Sequence, residues 1–163
     1  MYRAYMKNNR NRRTENLIPA SPALFYFLSF TVGLPMSFLG AILAFFVLIT
    51  GHKPTVYHNC ICFRCRKKDG CSLGCFMFVG RFSSEELLMH ELGHAIQNCL
   101  YGPLMPFLVG IPSSTRYHYR NFKQKVLHKK LTTRYDSVWF EAEATALGKD
   151  YVKRDLLRKD NTK

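Results

Sequence analysis

Two histidines four residues apart, His90 and His94, carry the clearest chemical signature in this chain, together with the adjacent Glu91. The five residues read HELGH, an HExxH pattern. Residues four apart lie on one face of a helix, about one turn apart, so both imidazoles can reach one tetrahedral zinc ion. Glu91 would not bind the metal, but it would accept the proton of a zinc-bound water that attacks a carbonyl. The pattern predicts a Zn2+ site with Glu91 as its catalytic residue.

The segment that contains this motif has the end signals of a helix. Ser83, followed three residues later by Glu86, forms a predicted capping box, and Gly102 with Pro103 predicts the end of the helix. We therefore expect one helix within residues 83–103. Gly93, inside the motif, leaves room for another element to pack closely beneath the metal.

A catalytic zinc site needs a third protein ligand and an open position. No further histidine follows within the distance that an extended HExxH motif would use, so the ligand must come from downstream. Residues 136–158 form a second helical pattern, with Asp136 or Ser137 as the predicted N-cap. Its carboxylates Glu141 and Glu143 are two residues apart and face different sides, so only one of them can be the ligand.

These motifs resemble those of the gluzincins, whose third zinc ligand is a glutamate on a later helix. Integral-membrane members carry HExxH followed by E-x-x-A-D, and residues 141–145 read EAEAT. The resemblance implies Glu141 as the metal ligand. Thr145 stands where the family has an aspartate that orients a zinc-binding histidine, so the resemblance places Thr145 behind the metal ligands.

The stretch from Leu34 to Gly148 is also similar to an uncharacterised zincin-like module at the ends of some bacterial Rhs-type polymorphic proteins. The matching features are the GLP-x4-LG run, KPT, SLGCFMFVG, HELGHAIQ, YGPL, VGIPS and FEAEATALG. This resemblance implies a minimal zincin-like fold.

Residues 16–51 contain no charged side chain, and the run from Leu24 to Ile49 is almost continuously apolar. About 20 apolar residues suffice to cross a bilayer, so we expect a membrane segment. Gly33 and Pro35 interrupt it, which leaves two alternatives: one kinked span, or a re-entrant hairpin of two short helices. Basic residues flank the segment on both sides, which favours the hairpin.

Five of the six cysteines lie between Cys60 and Cys75. They contain one C-x-x-C without the second pair of a zinc ribbon, which is a weak metal signal. Thr55–Phe63 and Ser72–Val79 read as two strands joined by the turn-forming residues 66–70. The favoured interpretation is that the cysteines are small apolar strand residues in a reducing compartment.

Between the two helical patterns, residues 101–113 contain three prolines and two glycines among apolar residues, which predicts a buried or membrane-facing connector rather than a helix. Residues 114–135 contain seven basic residues and no acidic one. They are predicted to form a solvated loop, or else to be attracted to anionic lipid headgroups. His118 and Tyr135 are candidate donors to an oxyanion opposite the zinc, although packed aromatic or loop residues are the more common alternative.

The 163 residues carry a net charge of +13 and are 47% hydrophobic, which excludes a disordered chain. We expect a mainly α fold with a small β-hairpin or sheet. The predicted parts are a basic tail (1–15), a hydrophobic membrane segment (16–51) and a zincin-like metallopeptidase domain (52–163). We expect no nucleic-acid partner, because no binding motif accompanies the charge.

The favoured function is a membrane-anchored zinc metalloendopeptidase with a protein or peptide substrate. Its expected location is the bacterial inner membrane, with the zinc domain facing the cytoplasm. The alternative is a non-catalytic, membrane-associated zinc-binding module of zincin fold. An intramembrane protease is disfavoured, because it would need an aspartate in an apolar helix and the one D-G pair is Asp69-Gly70, in a basic turn.

Overall fold

The computed structural model describes residue 19 and residues 21–65, 70–128 and 138–160. Within these ranges the chain is mainly helical, with one small mixed sheet. The helices are α1 (Pro22–Phe30), α2 (Leu34–Ile49), α3 (Glu85–Tyr101), α4 (Ile111–Lys125) and α5 (Trp139–Asp160). The strands are β1 (Pro54–Tyr57), β2 (Cys60–Cys65), β3 (Cys71–Leu73) and β4 (Phe76–Gly80).

The uncharged segment forms two short helices, α1 and α2. Ser21 caps α1, because its Oγ accepts a hydrogen bond from the backbone N–H of Leu24 at 3.2 Å. The chain then bends by 92° at residues 31–33 before α2 begins. Across the described ranges no single helix is long and apolar enough to span a bilayer, and only the bent pair taken together passes that test.

One stripe of this helix pair packs into the protein. Phe25 and Ser29 of α1, and Met36, Gly40 and Ala44 of α2, are buried. Phe25 and Ala44 belong to the same hydrophobic cluster as the sheet, α3 and α5. The described part of the predicted membrane segment therefore shares a core with the rest of the chain.

The sheet has the strand order β1-β2-β4-β3. β1 and β2 are antiparallel, as are β3 and β4, while β2 and β4 run parallel. The prediction of two continuous strands is wrong, because each breaks into a hairpin. The turns contain His58 with φ +44° and Gly74 with φ +62°, backbone conformations that end a strand.

Helix α3 lies at the centre of the molecule, and all residues from Glu91 to Cys99 are buried. Its apolar residues Leu92, Ala95 and Ile96 join the core formed by β2, β4 and α5. Buried polar residues on the same helix must find partners within the protein. This requirement shapes the functional site.

The connector after α3 is helical, contrary to the sequence prediction. Gly102–Leu104 is a 3₁₀ turn, Pro106–Gly110 is a π-helical turn, and α4 follows directly. Each of the three prolines lies in the first turn of its segment, where a missing N–H breaks no helical hydrogen bond. A solvated loop is predicted for residues 114–135, but residues 114–125 belong to helix α4. The helix has no buried residue.

Candidate metal centre

Helix α3 begins one residue later than the sequence predicts. Its N-cap is Ser84, whose Oγ accepts a hydrogen bond from Leu87 N at 3.3 Å, so the capping box predicted at Ser83 is wrong. The helix ends at Tyr101, and Gly102 follows with φ +51°, as the sequence predicts for the stop. His90 and His94 therefore lie in mid-helix, with ring centroids 4.7 Å apart.

Close packing of α5 against α3 brings Glu141 to the two histidines. A Cβ on Gly93 would lie 1.8 Å from the Ala144 carbonyl oxygen, so this approach of the two backbones requires glycine. Glu141 Oε2 then lies 3.0 Å from His90 Nε2 and 3.4 Å from His94 Nε2. The structure thus assembles His90, His94 and Glu141, as predicted.

The three facing atoms have the chemical types and the spacing of metal ligands. They lie within 4.8 Å of one another, and Glu141 is fully buried. Glu141 Oε2 accepts no hydrogen bond from any residue that the structure describes. A buried carboxylate oxygen without a donor is costly, and a bound cation removes that cost. The residues present therefore fit a metal ion.

The partner of His90 on its other side is Thr145. His90 Nδ1 lies 2.9 Å from Thr145 Oγ1, and that hydroxyl is 3.1 Å from the Glu141 carbonyl oxygen. Because a carbonyl can only accept, the single hydroxyl hydrogen is directed to it, and the hydroxyl oxygen accepts from His90 Nδ1–H. This tautomer leaves Nε2 with a lone pair that faces Glu141. The role that the resemblance implies for Thr145 fits this geometry.

Gln97 holds His94 in the same way, and sequence reasoning missed it. Gln97 Nε2 donates to the Phe140 carbonyl at 2.8 Å and to Glu143 Oε2 at 2.9 Å. The atom that faces His94 Nδ1, at 2.8 Å, is therefore Gln97 Oε1. Because this oxygen can only accept, His94 Nδ1 must carry the hydrogen. His94 Nε2 is left with its lone pair toward the site. The available signal was a glutamine three residues after His94, on the same helical face.

Glu143 is part of this support and does not face the metal cluster. Its Oε2 accepts from both Gln97 Nε2 and the Tyr101 hydroxyl. Only one of the two carboxylates faces the cluster, as the sequence predicts, although both contact residues of α3. A second contact that the sequence did not reveal is Ser113, at the start of α4, whose Oγ donates to Glu141 Oε1 at 2.6 Å.

The electrostatics of the cluster favour a positive charge between its members. Burial raises the pKa of Glu141, but the imidazoles of His90 and His94, which donate from Nε2 when they are protonated, and the hydrogen bond from Ser113 outweigh burial, so the pKa lies below its ordinary value. Burial lowers the pKa of His94, but contact with Glu141 outweighs this effect and the pKa is raised. Glu141 is therefore ionised at neutral pH, as a metal ligand must be.

Glu91 is buried beside the cluster and is held by the edge strand β3. Ser72 Oγ lies 2.8 Å from Glu91 Oε2 and 2.8 Å from the Glu91 carbonyl oxygen. The one hydroxyl hydrogen of Ser72 is shared between these two acceptors, and Ser72 thus links the carboxylate of the predicted catalytic residue to the sheet. Sequence reasoning did not single out Ser72, and an isolated serine in a strand provides no signal for such a role.

A cavity of ≈ 1260 Å³ opens onto the cluster. His90, Glu91 and His94 line it on one side, and Tyr117 and Arg120 of α4 line it on another. The suggested oxyanion donor His118 is exposed on α4 and does not line this cavity, so the structure does not bring it to the site. The other suggested donor, Tyr135, lies outside the described residues.

All six cysteines are free thiols. Cys60, Cys62, Cys75 and Cys99 are buried. In the described residues the one group of three or more potential ligands that could hold a metal is the His90, His94 and Glu141 cluster. The cysteines thus pack in and around the sheet, in agreement with the strand interpretation, and burial raises the pKa of the Cys60 thiol.

Comparisons with known proteins add no relative to this picture. No family model, no curated protein and no solved structure matches the chain.

Proposed function

We propose that the chain is a zinc metallopeptidase of gluzincin type. The observation that carries the proposal is the convergence of His90 Nε2, His94 Nε2 and Glu141 Oε2, each held from behind by its own hydrogen-bond partner. Two imidazoles and a carboxylate are the ligand set of many catalytic zinc sites, and the adjoining cavity leaves space for a substrate.

His90, His94 and Glu141 would hold the zinc ion, which would polarise a carbonyl and lower the pKa of water toward neutrality. Glu91 accepts the proton of the attacking water and then donates it to the amine of the leaving peptide. Ser72 keeps the Glu91 carboxylate in place during both transfers. Thr145 and Gln97 keep the two imidazoles in the tautomer that directs Nε2 into the site.

Hydrolysis is favoured over redox chemistry because of Glu91. Two histidines and one carboxylate also hold Fe(II) in oxygenases, so the ligand set alone does not define the metal. A buried carboxylate adjacent to the ligands supplies the base that peptide hydrolysis needs. The substrate class that we propose is a protein or peptide chain.

The test combines metal analysis with peptide digestion. We expect one zinc per chain, and we expect His94→Ala to lose it because two ligands remain. Glu91→Gln should retain zinc but should not cleave a peptide library, since an amide cannot accept the proton. Glu86→Gln is the matched control, because Glu86 lies on the same helix and lines the cavity without belonging to the cluster.

Two results would overturn the proposal. Stoichiometric iron in place of zinc would indicate a different chemistry. The second result has two parts. The wild type and Glu91→Gln would both bind zinc without cleaving peptides, and Glu91→Gln would keep the native function of the protein. This result would instead support the non-catalytic zinc-binding module.

A further inference from the structure

The helix pair α1–α2 exposes an unusual number of large apolar side chains. While one stripe of α2 packs inward, Phe38 and Phe45 on its other sides are 62% and 63% exposed. Phe30, Val32, Leu34, Leu39, Ile42, Phe46 and Ile49 are also exposed. Isolated exposed apolar residues are ordinary, but so many on one helix pair indicate an interaction surface.

The connector between α3 and α4 is also apolar on its outer side. Leu104 is 59% exposed and Phe107 is 67% exposed, and Leu108 is exposed as well. The inner side of the same connector, through Met105 and Val109, lines the cavity of the candidate metal centre. The connector therefore has one face toward the site and one face toward the surroundings.

Direct contacts join the last turn of α3 and the connector to the corner of the helix pair. Asn98 Nδ2 donates to the Gly33 carbonyl at 3.2 Å. A Cβ on Gly102 would lie 2.5 Å from Val32 Cγ1, so the start of the connector rests against the 92° corner. The exposed side chains of α1, α2 and the connector are thus neighbours, and we call them together the apolar surface.

A basic helix follows the apolar surface immediately. The connector ends at Gly110, and α4 begins at Ile111. This helix carries Arg116, Lys123 and Lys125 besides Arg120, which lines the cavity of the candidate metal centre, and it has no acidic residue and no buried residue. An apolar face beside a row of cations matches the boundary between hydrocarbon and anionic headgroups in a lipid bilayer.

We propose that the apolar surface inserts into one leaflet of an anionic phospholipid bilayer, with α4 at the level of the headgroups. A second copy of the chain is a poorer occupant, because each chain carries a net charge of +13 and the basic helices would approach one another. The cavity wall formed by Met105 and Val109 then lies next to the membrane surface. This inference does not depend on the metal or on peptidase activity.

Flotation of the full chain with lipid vesicles tests the proposal. Vesicles of phosphatidylcholine alone are compared with vesicles that also contain phosphatidylglycerol. One double variant, Phe38→Asp with Phe45→Asp, changes the helix pair, and another, Leu104→Asp with Phe107→Asp, changes the connector. The control is Val56→Asp with Phe82→Asp, which introduces the same charge at positions 75% and 94% exposed.

Of the two control positions, Phe82 lies away from the connector. Phe82 precedes the first turn of α3 and the connector follows its last turn, so the 17-residue helix separates them by about 25 Å. We expect the helix-pair variant to bind anionic vesicles about tenfold less tightly than the wild type. The connector variant should bind at least threefold less tightly, because a charge in the interface opposes insertion. The control should remain within about twofold of the wild type.

Each alternative outcome is decisive. Wild-type binding by both double variants would overturn the proposal. If only the helix-pair variant binds less tightly, the connector does not contact the membrane, and the proposal that the helix pair and the connector insert together would be overturned. A dimer in vesicle-free solution that both variants dissociate, without flotation of the wild type, would assign the surface to a second copy. Zinc content, measured in parallel, should be unchanged in all variants, which separates this test from that of the peptidase.

Discussion

Replacing Gln97 with methionine tests whether the hydrogen bonds behind the cluster prepare it for a metal. Gln97 is fully buried, and methionine fills a similar volume without strain. The substitution removes the oxygen that accepts from His94 Nδ1–H and the two donors that face Phe140 O and Glu143 Oε2. His94 is then free to adopt the other tautomer, in which Nε2 carries a hydrogen and cannot bind a metal.

The expected effect has two separate parts. Loss of a partner behind a metal ligand lowers metal affinity by about 10-fold to 100-fold. Since tenfold corresponds to about 1.4 kcal/mol, zinc binding should weaken by about 1.4 to 2.8 kcal/mol. The metal-free protein should also lose about 1 to 3 kcal/mol of unfolding free energy, because the buried hydrogen bonds of Gln97 with His94 and with the Phe140 carbonyl are lost. Glu143 contributes less, since it keeps the Tyr101 hydroxyl.

Competition with a chelator measures the zinc affinity, and urea unfolding in excess chelator measures the metal-free stability. Glu143→Gln is the matched control, because its amide oxygen can still accept from Gln97 and Tyr101. This control should bind zinc within about threefold of the wild type. A Gln97→Met protein that is folded and binds zinc as tightly as the wild type would refute the reasoning.

Three further predictions concern the elements around the site. Gly93→Ala should lower the unfolding free energy by about 1 to 3 kcal/mol and weaken zinc binding, because its Cβ would meet the Ala144 carbonyl at 1.8 Å. Calorimetry measures the stability, and zinc titration measures the binding. A variant as stable as the wild type would show that the two helices are farther apart. Ser72→Ala should lower kcat about tenfold at unchanged zinc content, because Glu91 loses the donor that holds its carboxylate, and an unchanged kcat would remove Ser72 from the mechanism. Asp155 is buried, which raises its pKa, but Lys159 and His58 outweigh burial and lower the pKa. Its stabilising contribution should therefore be present above pH ~4 and lost as the pH falls further, so unfolding in excess chelator should depend less on pH between about 2 and 4 in Asp155→Asn than in the wild type.

The sequence alone determined which residues share the central helix and that only one of two neighbouring carboxylates can belong to the site, while the choice of Glu141 rested on the resemblance to the gluzincins. His90 and His94 lie four apart, and Glu141 and Glu143 lie two apart, so the helical period decides their relative directions. The end of α3 before Gly102 could likewise be predicted from the neighbouring residues alone. The prediction that the prolines of residues 101–113 exclude a helix was wrong. A proline excludes a helix interior but is accepted in a first turn, and the residues nearby do not reveal which applies.

The tertiary structure alone decided that Gln97 stands behind His94 and Ser113 behind Glu141. Ser113, Thr145 and Gln97 hold the metal ligands, but Ser113 meets Glu141 only because α4 lies across the site. His118, on the same helix, is directed away from the cavity. Sequence periodicity defines directions around one helix axis, whereas contacts between helices depend on how closely the helices approach and where they cross. Here that approach is set by the contact of Gly93 with Ala144, which lies 51 residues further along the chain.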